Sequence, residues 1–349
     1  MTFANLSSIS RRRWRNFRAN GRGFWSLWIL LGLFALSLCA ELVANDRPLM
    51  VRYQGKTFFP VVKTYPETAF GGTFETSADY RDPFLKELIT KDGSIIWPAI
   101  EFAPGTINYD LKTPPPAAPS AVNWLGTDEQ GRDVAARLLY GFRISILFGL
   151  ALTVISSVFG IAAGAVQGYF GGLLDLAMQR IIEVWSGLPQ LFILVIVSSV
   201  VVPSFWTLLG VMLLFSWTTL INLVRAEFLR SRNFDYVRAA RALGMGDFQI
   251  IVKHILPNSM VATITFLPFV LAGAVTALTS LDFLGLGLPP GTPSLGELLR
   301  QGKEYLHAPW LGITGFVAVA LLLTLMIFVG EAVRDAFDPR KTFAAGDEP

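Results

Sequence analysis

Few residues of this chain have the type and spacing to make or break a covalent bond. Asp79, Asp82 and Glu101 come nearest to a general acid–base set, and nothing in their spacing pairs them for such work. No Gly-x-Ser-x-Gly elbow is present. His254 and His307 lie far apart, so a His-based metal site is not expected, and the one cysteine, Cys39, rules out an intrachain disulfide. Gly302-Lys303 lacks the glycine spacing before it and the hydroxyl after it that a phosphate-cradling loop needs, so ATP hydrolysis is not expected here. What the residues do offer is mechanical. Tyr236-Val-Arg-Ala-Ala-Arg-Ala-Leu-Gly244, running on to His254-Ile-Leu-Pro257-Asn258, reads as helix, glycine break and second helix between two strongly apolar segments. A membrane protein needs such a handle if a soluble partner is to grip and push it.

Within this handle, Asp235 reads as the N-cap and Gly244 as the C′ residue of a helix of about two turns. Asp247 reads as the cap of a second helix that stops before Pro257. Ala239, Ala240 and Ala242 leave a smooth surface, and Arg238 and Arg241, three apart, offer charge on one side. The alternative is a loop packed on its own helix ends.

The elements that must position this handle are membrane helices. The 349 residues are 52% hydrophobic and 13% aromatic, with a mean hydropathy of +0.50, and the excess is gathered in blocks. The net charge of +3 is too small to argue for nucleic acid. Six spans are expected, at 24–44, 142–167, 177–201, 206–226, 261–284 and 311–333. Each suits the ~17–25 residues that cross hydrocarbon as a helix. Only helices satisfy their own backbone there, so the fold is expected to be an all-α polytopic membrane protein. The block at 24–44 is longer than a signal core of ~7–15 residues and reads as an uncleaved anchor, although Ala40-Glu41-Leu-Val-Ala-Asn45 offers a small-residue cleavage signal. Pro189 is expected to kink the third span, with Arg180 and Glu183 at the interface.

Basic residues fall in the tail 1–23 (Arg11, Arg15, Arg18, Arg22), in the loop 227–260 (Arg230, Arg232, Lys253) and beside the last span (Arg334, Arg340, Lys341). With six spans these lie on one side, which is then cytoplasmic, with both termini inside. Residues 45–120 form a small extracytoplasmic, β-containing insertion, with a hairpin at Gln54-Gly55, a strand region at 93–102 and the stiff linker Pro114-Pro-Pro-Ala-Ala-Pro119. Residues 121–340 hold the other five helices, and 341–349 is a tail. In 123–134, Thr127 and Gln130 have capping-box spacing, and Asp133 can pair with Arg137, giving a short amphipathic helix on the outer surface. The outer loop 285–309, with Gly285, Gly287, Pro289, Pro290 and Pro293, reads either as a partly re-entrant cap over a pore mouth or as a surface turn. Arg225, Glu227, Asp282 and Glu331 sit at span ends, where interfacial water is near, and read as structural. No acidic chain crosses the middle of the membrane, which weakens a proton-coupled mechanism.

Residues 238–257 resemble the coupling loop of ABC importer permeases, whose pattern is Glu-Ala-Ala, three residues, Gly, then a hydrophobic stretch ending in Leu-Pro. Ala239, Ala240, Gly244, Leu256 and Pro257 match, while Arg238 stands at the Glu position. Asn123-Trp-Leu-Gly-Thr-Asp-Glu-Gln-Gly-Arg-Asp-Val134 and Phe283-Leu-Gly-Leu-Gly-Leu-Pro-Pro-Gly-Thr-Pro-Ser-Leu-Gly296 are similar to segments of dipeptide and oligopeptide permeases. Residues 41–48 and the aromatic-rich outer region resemble the microcin C-type peptide permeases of Gram-negative inner membranes. The resemblance implies a type I permease core, the cap reading of the outer loop, and a multi-pass chain of the bacterial inner membrane that imports peptides. It further implies a second homologous permease, separate ATPase subunits that bind ATP and Mg, and a periplasmic peptide-binding protein. No cofactor is implied in this chain. A membrane-anchored enzyme with an extracytoplasmic active site and a passive channel are the competing readings.

Overall fold

The computed structural model describes residues 8–338, so Arg340, Lys341 and the tail 341–349 lie outside the described residues. Helix α1 (Ser8–Ala19) breaks at Asn20, whose side chain accepts from the Gly23 N–H and so caps α2 (Gly21–Leu38). The expected span at 24–44 is therefore shifted. It ends at Cys39 and is followed by a single turn, α3 (Ala40–Val43), whose Ala40 is fully buried.

The outer region folds as expected around a hairpin. Strands β1 (Met50–Tyr53) and β2 (Lys56–Phe58) pair antiparallel in the register Val51↔Phe58 and Tyr53↔Lys56. Gln54 (φ 47°) and Gly55 (φ 76°) both take positive φ, the two-residue turn that matches strand twist. Helix α4 (Pro83–Asp92) leads directly into β3 (Gly93–Ile96), which pairs antiparallel with β1 to give the order β2-β1-β3. The expected strand region at 93–102 stops early because Pro98 cannot donate to a ladder. Val51, Tyr53, Phe70, Tyr80, Leu85 and Ile89 close this small core. Burial pushes the Tyr80 hydroxyl up to about 12.

No separate amphipathic helix forms at 123–134. That stretch is a series of turns, and α5 (Val134–Phe170) begins at once, capped by Asp133, whose side chain accepts from the Ala136 N–H. Thr127 makes no capping box; its hydroxyl accepts from the Ala117 N–H at 2.8 Å. At ~1.5 Å per residue the 37 residues of α5 outrun a ~30 Å hydrocarbon core, so the helix projects beyond it.

Helices α6 (Gly172–Ser186) and α7 (Gln190–Val200) replace the third span. They are bent by 64° at Gly187-Leu188-Pro189, a break rather than the expected kink. Arg180 and Glu183 pair on the exposed side of α6 at 2.5 Å. Helix α8 (Phe205–Ser216) continues through a 3-10 turn (Trp217–Leu220) into α9 (Ile221–Ser231). After the short helices α10 (Asp235–Ala242) and α11 (Asp247–Ile250), a π turn (Ile251–Ile255) opens into α12 (Leu256–Phe283). Helix α13 (Leu295–Glu304) precedes α14 (Pro309–Phe337). Among the described residues five helices are long and apolar enough to cross a membrane, or six if the bent pair counts as one span. The fold is a mostly helical membrane protein with a small three-stranded sheet.

Glycines set how closely the helices pack. Gly160, Gly164 and Gly168 line one face of α5, where an added Cβ would lie 2.6 Å from Trp217 O, 2.8 Å from Ile221 O and 2.6 Å from Arg225 O. The α8–α9 backbone thus lies directly against α5. Phe148, Leu152, Leu209, Met212, Leu278 and Leu281 fill the core on the other side.

Candidate functional site

The N-cap of helix α10 lies one residue before the expected one. Phe234, extended at φ −70° and ψ 150°, is the N-cap residue, and its carbonyl accepts from the Val237 and Arg238 N–H groups. Asp235 is therefore the first helical residue, where its charge favours the positive end of the helix dipole. The C-terminus agrees with expectation: Gly244 has φ +81°, its N–H bonds Arg241 O at 3.0 Å, and the Met245 N–H bonds Ala240 O at 3.2 Å. These two bonds are the Schellman pattern.

Asp247 does not cap its helix either. Gly246 holds the cap position, and the Asp247 carboxylate accepts from the Tyr169 hydroxyl at the end of α5, at 2.5 Å. Nor does the second helix stop before Pro257. The π turn at 251–255 shifts the hydrogen-bond pattern just before the proline, so the chain runs helical from Asp247 to Phe283.

The two readings of this loop divide between its two faces. Val237, Ala240, Ile250 and Ile255 are buried against Ala165, Tyr169, Val224 and Phe228, with Leu256 packed alongside. Arg241 is exposed but reaches back toward this face; it donates to the Tyr169 hydroxyl at 3.2 Å and lies over that ring. That bond reinforces its positive charge. Arg238 and Arg241 are both exposed, and Arg241 is in addition tied to α5. On the outer face Arg238, Ala239, Ala242 and Pro257 are exposed, and Leu243 and Phe248 expose 83% and 77% of their surface. Two large apolar side chains beside an exposed guanidinium make a ledge suited to a protein partner.

The opposite end of the molecule carries a polar clamp. Arg137, fully buried on α5, pairs with Glu297 of α13 and donates to Pro104 O, Gly291 O and Thr292 O. Asp128 lies 3.3 Å from Arg137 Nε and 2.6 Å from Arg132 Nε, and Arg132 also reaches Glu297 at 3.5 Å. Two cations and two carboxylates thus balance in a protein-lined site. The expected Asp133–Arg137 pair does not form. Asp133 accepts from Asn123 Nδ2 at 2.8 Å as well as capping α5. Burial pushes its carboxyl above the usual range, while the Ala136 and Asn123 bonds pull it down.

Asp282, at the end of α12 as expected, is buried in protein rather than open to water, at 7% exposed. It accepts from the Leu288 N–H at 2.7 Å and from the Ser294 hydroxyl, folding the outer loop back over the end of α12. A Cβ at Gly287 would lie 1.8 Å from Asp282 Oδ1, so only glycine fits there. Gly285 (φ +74°) makes the turn, and Pro289 and Pro290 line a recess with Asp282 and Glu297. Pro293 lies partly buried just before the α13 cap residue Ser294. Arg225 is likewise engaged, in a two-pronged pair with Asp175 at 2.5 and 2.7 Å. Sequence reasoning missed Asp128, Arg132, Arg137 and Glu297 as a unit. The one available signal was arginine and carboxylates at the edge of an apolar block.

Between α5, α7, α8 and α12 lies an open cavity of about 340 Å³, lined by Thr153, Ser156, Gln190, Ser216 and Thr219 among apolar side chains. No charged side chain lines it.

Residues 135–343 match the family model described as "Binding-protein-dependent transport system inner membrane component". The chain is 60% identical over 338 residues to the "Inner membrane ABC transporter permease protein YejE" of Escherichia coli (strain K12), covering 97% of this chain and 99% of that protein. It is 54% identical to the "Peptidoglycan transport system permease protein YejE" of Agrobacterium fabrum, over 97% of this chain and 95% of that protein. The "Oligopeptide transport system permease protein OppC" of Lactococcus lactis subsp. lactis is 36% identical over 62% of this chain and 75% of its own length. The helical membrane fold and these matches agree: the chain belongs to the binding-protein-dependent transport system inner membrane components, as a multi-pass ABC transporter permease whose ATP is bound by a partner ATPase.

Proposed function

We propose that this permease imports peptides, forming a pathway with a second homologous permease and taking its drive from ATPase subunits that seat on the ledge of α10 and α11. The observation that carries the reading is the ledge itself: Leu243 and Phe248 exposed beside Arg238, on a loop whose inner face is fixed to α5 and α9. A push on such a loop moves α5 and α9 together, the rigid-body displacement that alternating access needs. The uncharged cavity lined by Thr153, Ser156 and Gln190 is this chain's half of the pathway. Hydroxyls and an amide there hydrogen-bond peptide groups without selecting on side-chain charge. The outer loop from Gly285 to Pro293, clamped through Asp282 and Arg137, caps the pathway, and a periplasmic binding protein delivers cargo to that side. Both termini lie in the cytoplasm.

Oligopeptides and peptide antibiotics of the microcin C type are the proposed cargo, on the strength of the sequence likeness in residues 41–48 and the outer region. The name of the Agrobacterium relative favours a second cargo, peptidoglycan-derived material. The test is a mild-detergent pull-down from the native membrane, followed by reconstitution. Recovery of a second permease and an ATPase, with peptide uptake that stops without ATP, is expected. Recovery of this chain alone, or uptake indifferent to ATP, overturns the reading. Competition of labelled oligopeptide against peptidoglycan fragments decides between the cargoes.

A further inference from the structure

We propose that the outer domain carries a receptor cleft for a short zwitterionic peptide, binding both its free ends between α4 and the proline-rich linker. The cleft has a volume of about 540 Å³, within the ~300–1,000 Å³ typical of small-ligand sites. Arg81, Lys86 and Lys112 line it, together with Glu101 and Asp110. Among the described residues none of these five side chains forms an ion pair. In the Arg137–Glu297 clamp, by contrast, the charges are paired with each other.

Unpaired cations and unpaired carboxylates around one recess suit a ligand that bears both signs. A carboxylate bonds to Arg81 and the lysines, and an ammonium to Glu101 or Asp110, through charge-assisted hydrogen bonds. Arg81 is positioned for this by the Phe102 ring, whose centroid lies 4.0 Å from its guanidinium. Trp97 and Leu111 supply apolar wall for a side chain between the two ends. Asn123 also lines the cleft and bonds Asp133, so the cleft rests on the same frame that caps α5. The concave shape favours a small ligand over a protein surface.

The peptide as ligand class rests on the function proposed above. The test separates the two by measuring equilibrium binding to the full chain in lipid nanodiscs, without ATPase or ATP. Tri-alanine, N-acetyl-tri-alanine and tri-alanine amide are titrated by calorimetry. Tri-alanine is expected to bind, with each blocked form at least tenfold weaker. The exposed double variant Lys86→Glu/Lys112→Glu is expected to weaken tri-alanine at least tenfold with an unchanged melting temperature, and Arg81→Ala to do the same. No binding of tri-alanine, equal binding of the blocked forms, or indifference to the charge reversals overturns the proposal. ATP-driven uptake by a chain that shows no tri-alanine binding in this assay leaves the importer reading standing while the cleft is refuted.

Discussion

At the scale of single residues, the most consequential contact is the one between Arg137 and Glu297. Both Arg137 and its second carboxylate partner Asp128 are fully buried, so the guanidinium has no water to fall back on. Glu297→Ala removes one of the two carboxylates that balance Arg132 and Arg137. Breaking a buried pair in this way costs on the order of 3–5 kcal/mol, and Asp128, which remains, holds the loss to the lower end. Thermal unfolding in detergent should show a large fall for Glu297→Ala and a smaller one for Glu297→Gln, which keeps an acceptor. Equal melting temperatures for wild type and Glu297→Ala would refute the clamp. Gly244 is critical for a different reason. An added side chain meets nothing within 4 Å, so the only penalty of Gly244→Val is the left-handed backbone at φ +81°. That costs about 1–2 kcal/mol for a residue with a Cβ, and more for a branched one. The variant is expected to insert in the membrane normally yet retain little ATPase in a pull-down. Wild-type recovery of the ATPase would show that the turn after α10 does not set the ledge.

At the scale of elements, the pairing of α5 with α9 is fixed by the absence of side chains. Gly164→Leu places a side chain where Ile221 O, Val224 Cβ and Arg225 N already lie within about 3.1 Å of the new Cβ. Overpacking of this kind costs about 1–3 kcal/mol. Because α9 leads directly into the ledge, Gly164→Leu should reduce ATP-driven uptake as well as melting temperature. Gly273→Leu, where a Cβ meets nothing within 4 Å, should leave the melting temperature near wild type. The spans and the Gln54-Gly55 hairpin were legible in the sequence because apolar blocks and a two-residue turn are local signals. The place of the bend at Pro189 was legible too, but its 64° extent was not, nor was the passage through Pro257, which a π turn with no local mark absorbs. Asp235 and Asp247 read as caps because their residue type favours that role; Phe234 and Gly246 hold those positions by backbone conformation alone. In the candidate site, the turn at Gly244 was legible from residue type, whereas Ala240 and Leu256 were marked only by the resemblance to ABC importer permeases. The Arg137–Glu297 clamp, with partners 160 positions apart, was not.

At the scale of the whole molecule, the clamp and the ledge are joined through one helix. Helix α5 begins in the outer clamp at Asp133 and Arg137 and ends at Tyr169, whose hydroxyl bonds Asp247 and Arg241 of the ledge. A partner seated on the ledge therefore acts on the same rigid rod that the outer loop grips. The apolar part of that seat is Leu243 and Phe248, and neither belongs to the buried cluster beneath the loop. Replacing both with Asp removes apolar area that a partner would bury, worth ~25 cal/mol per Å², and puts two charges in its place. Within the isolated chain the same change touches only exposed positions, where substitutions shift stability by about 0.5 kcal/mol or less. Leu243→Asp/Phe248→Asp should thus leave melting temperature and membrane insertion unchanged while abolishing ATPase recovery and ATP-driven uptake. Arg238→Glu alone should weaken recovery in a salt-dependent manner, as an exposed charge does. A double variant that retained its ATPase would move the docking surface away from α10 and α11, and the apolar ledge would then need another partner. One that lost both the ATPase and its fold would show that Leu243 and Phe248 support the loop from within, contrary to their exposure.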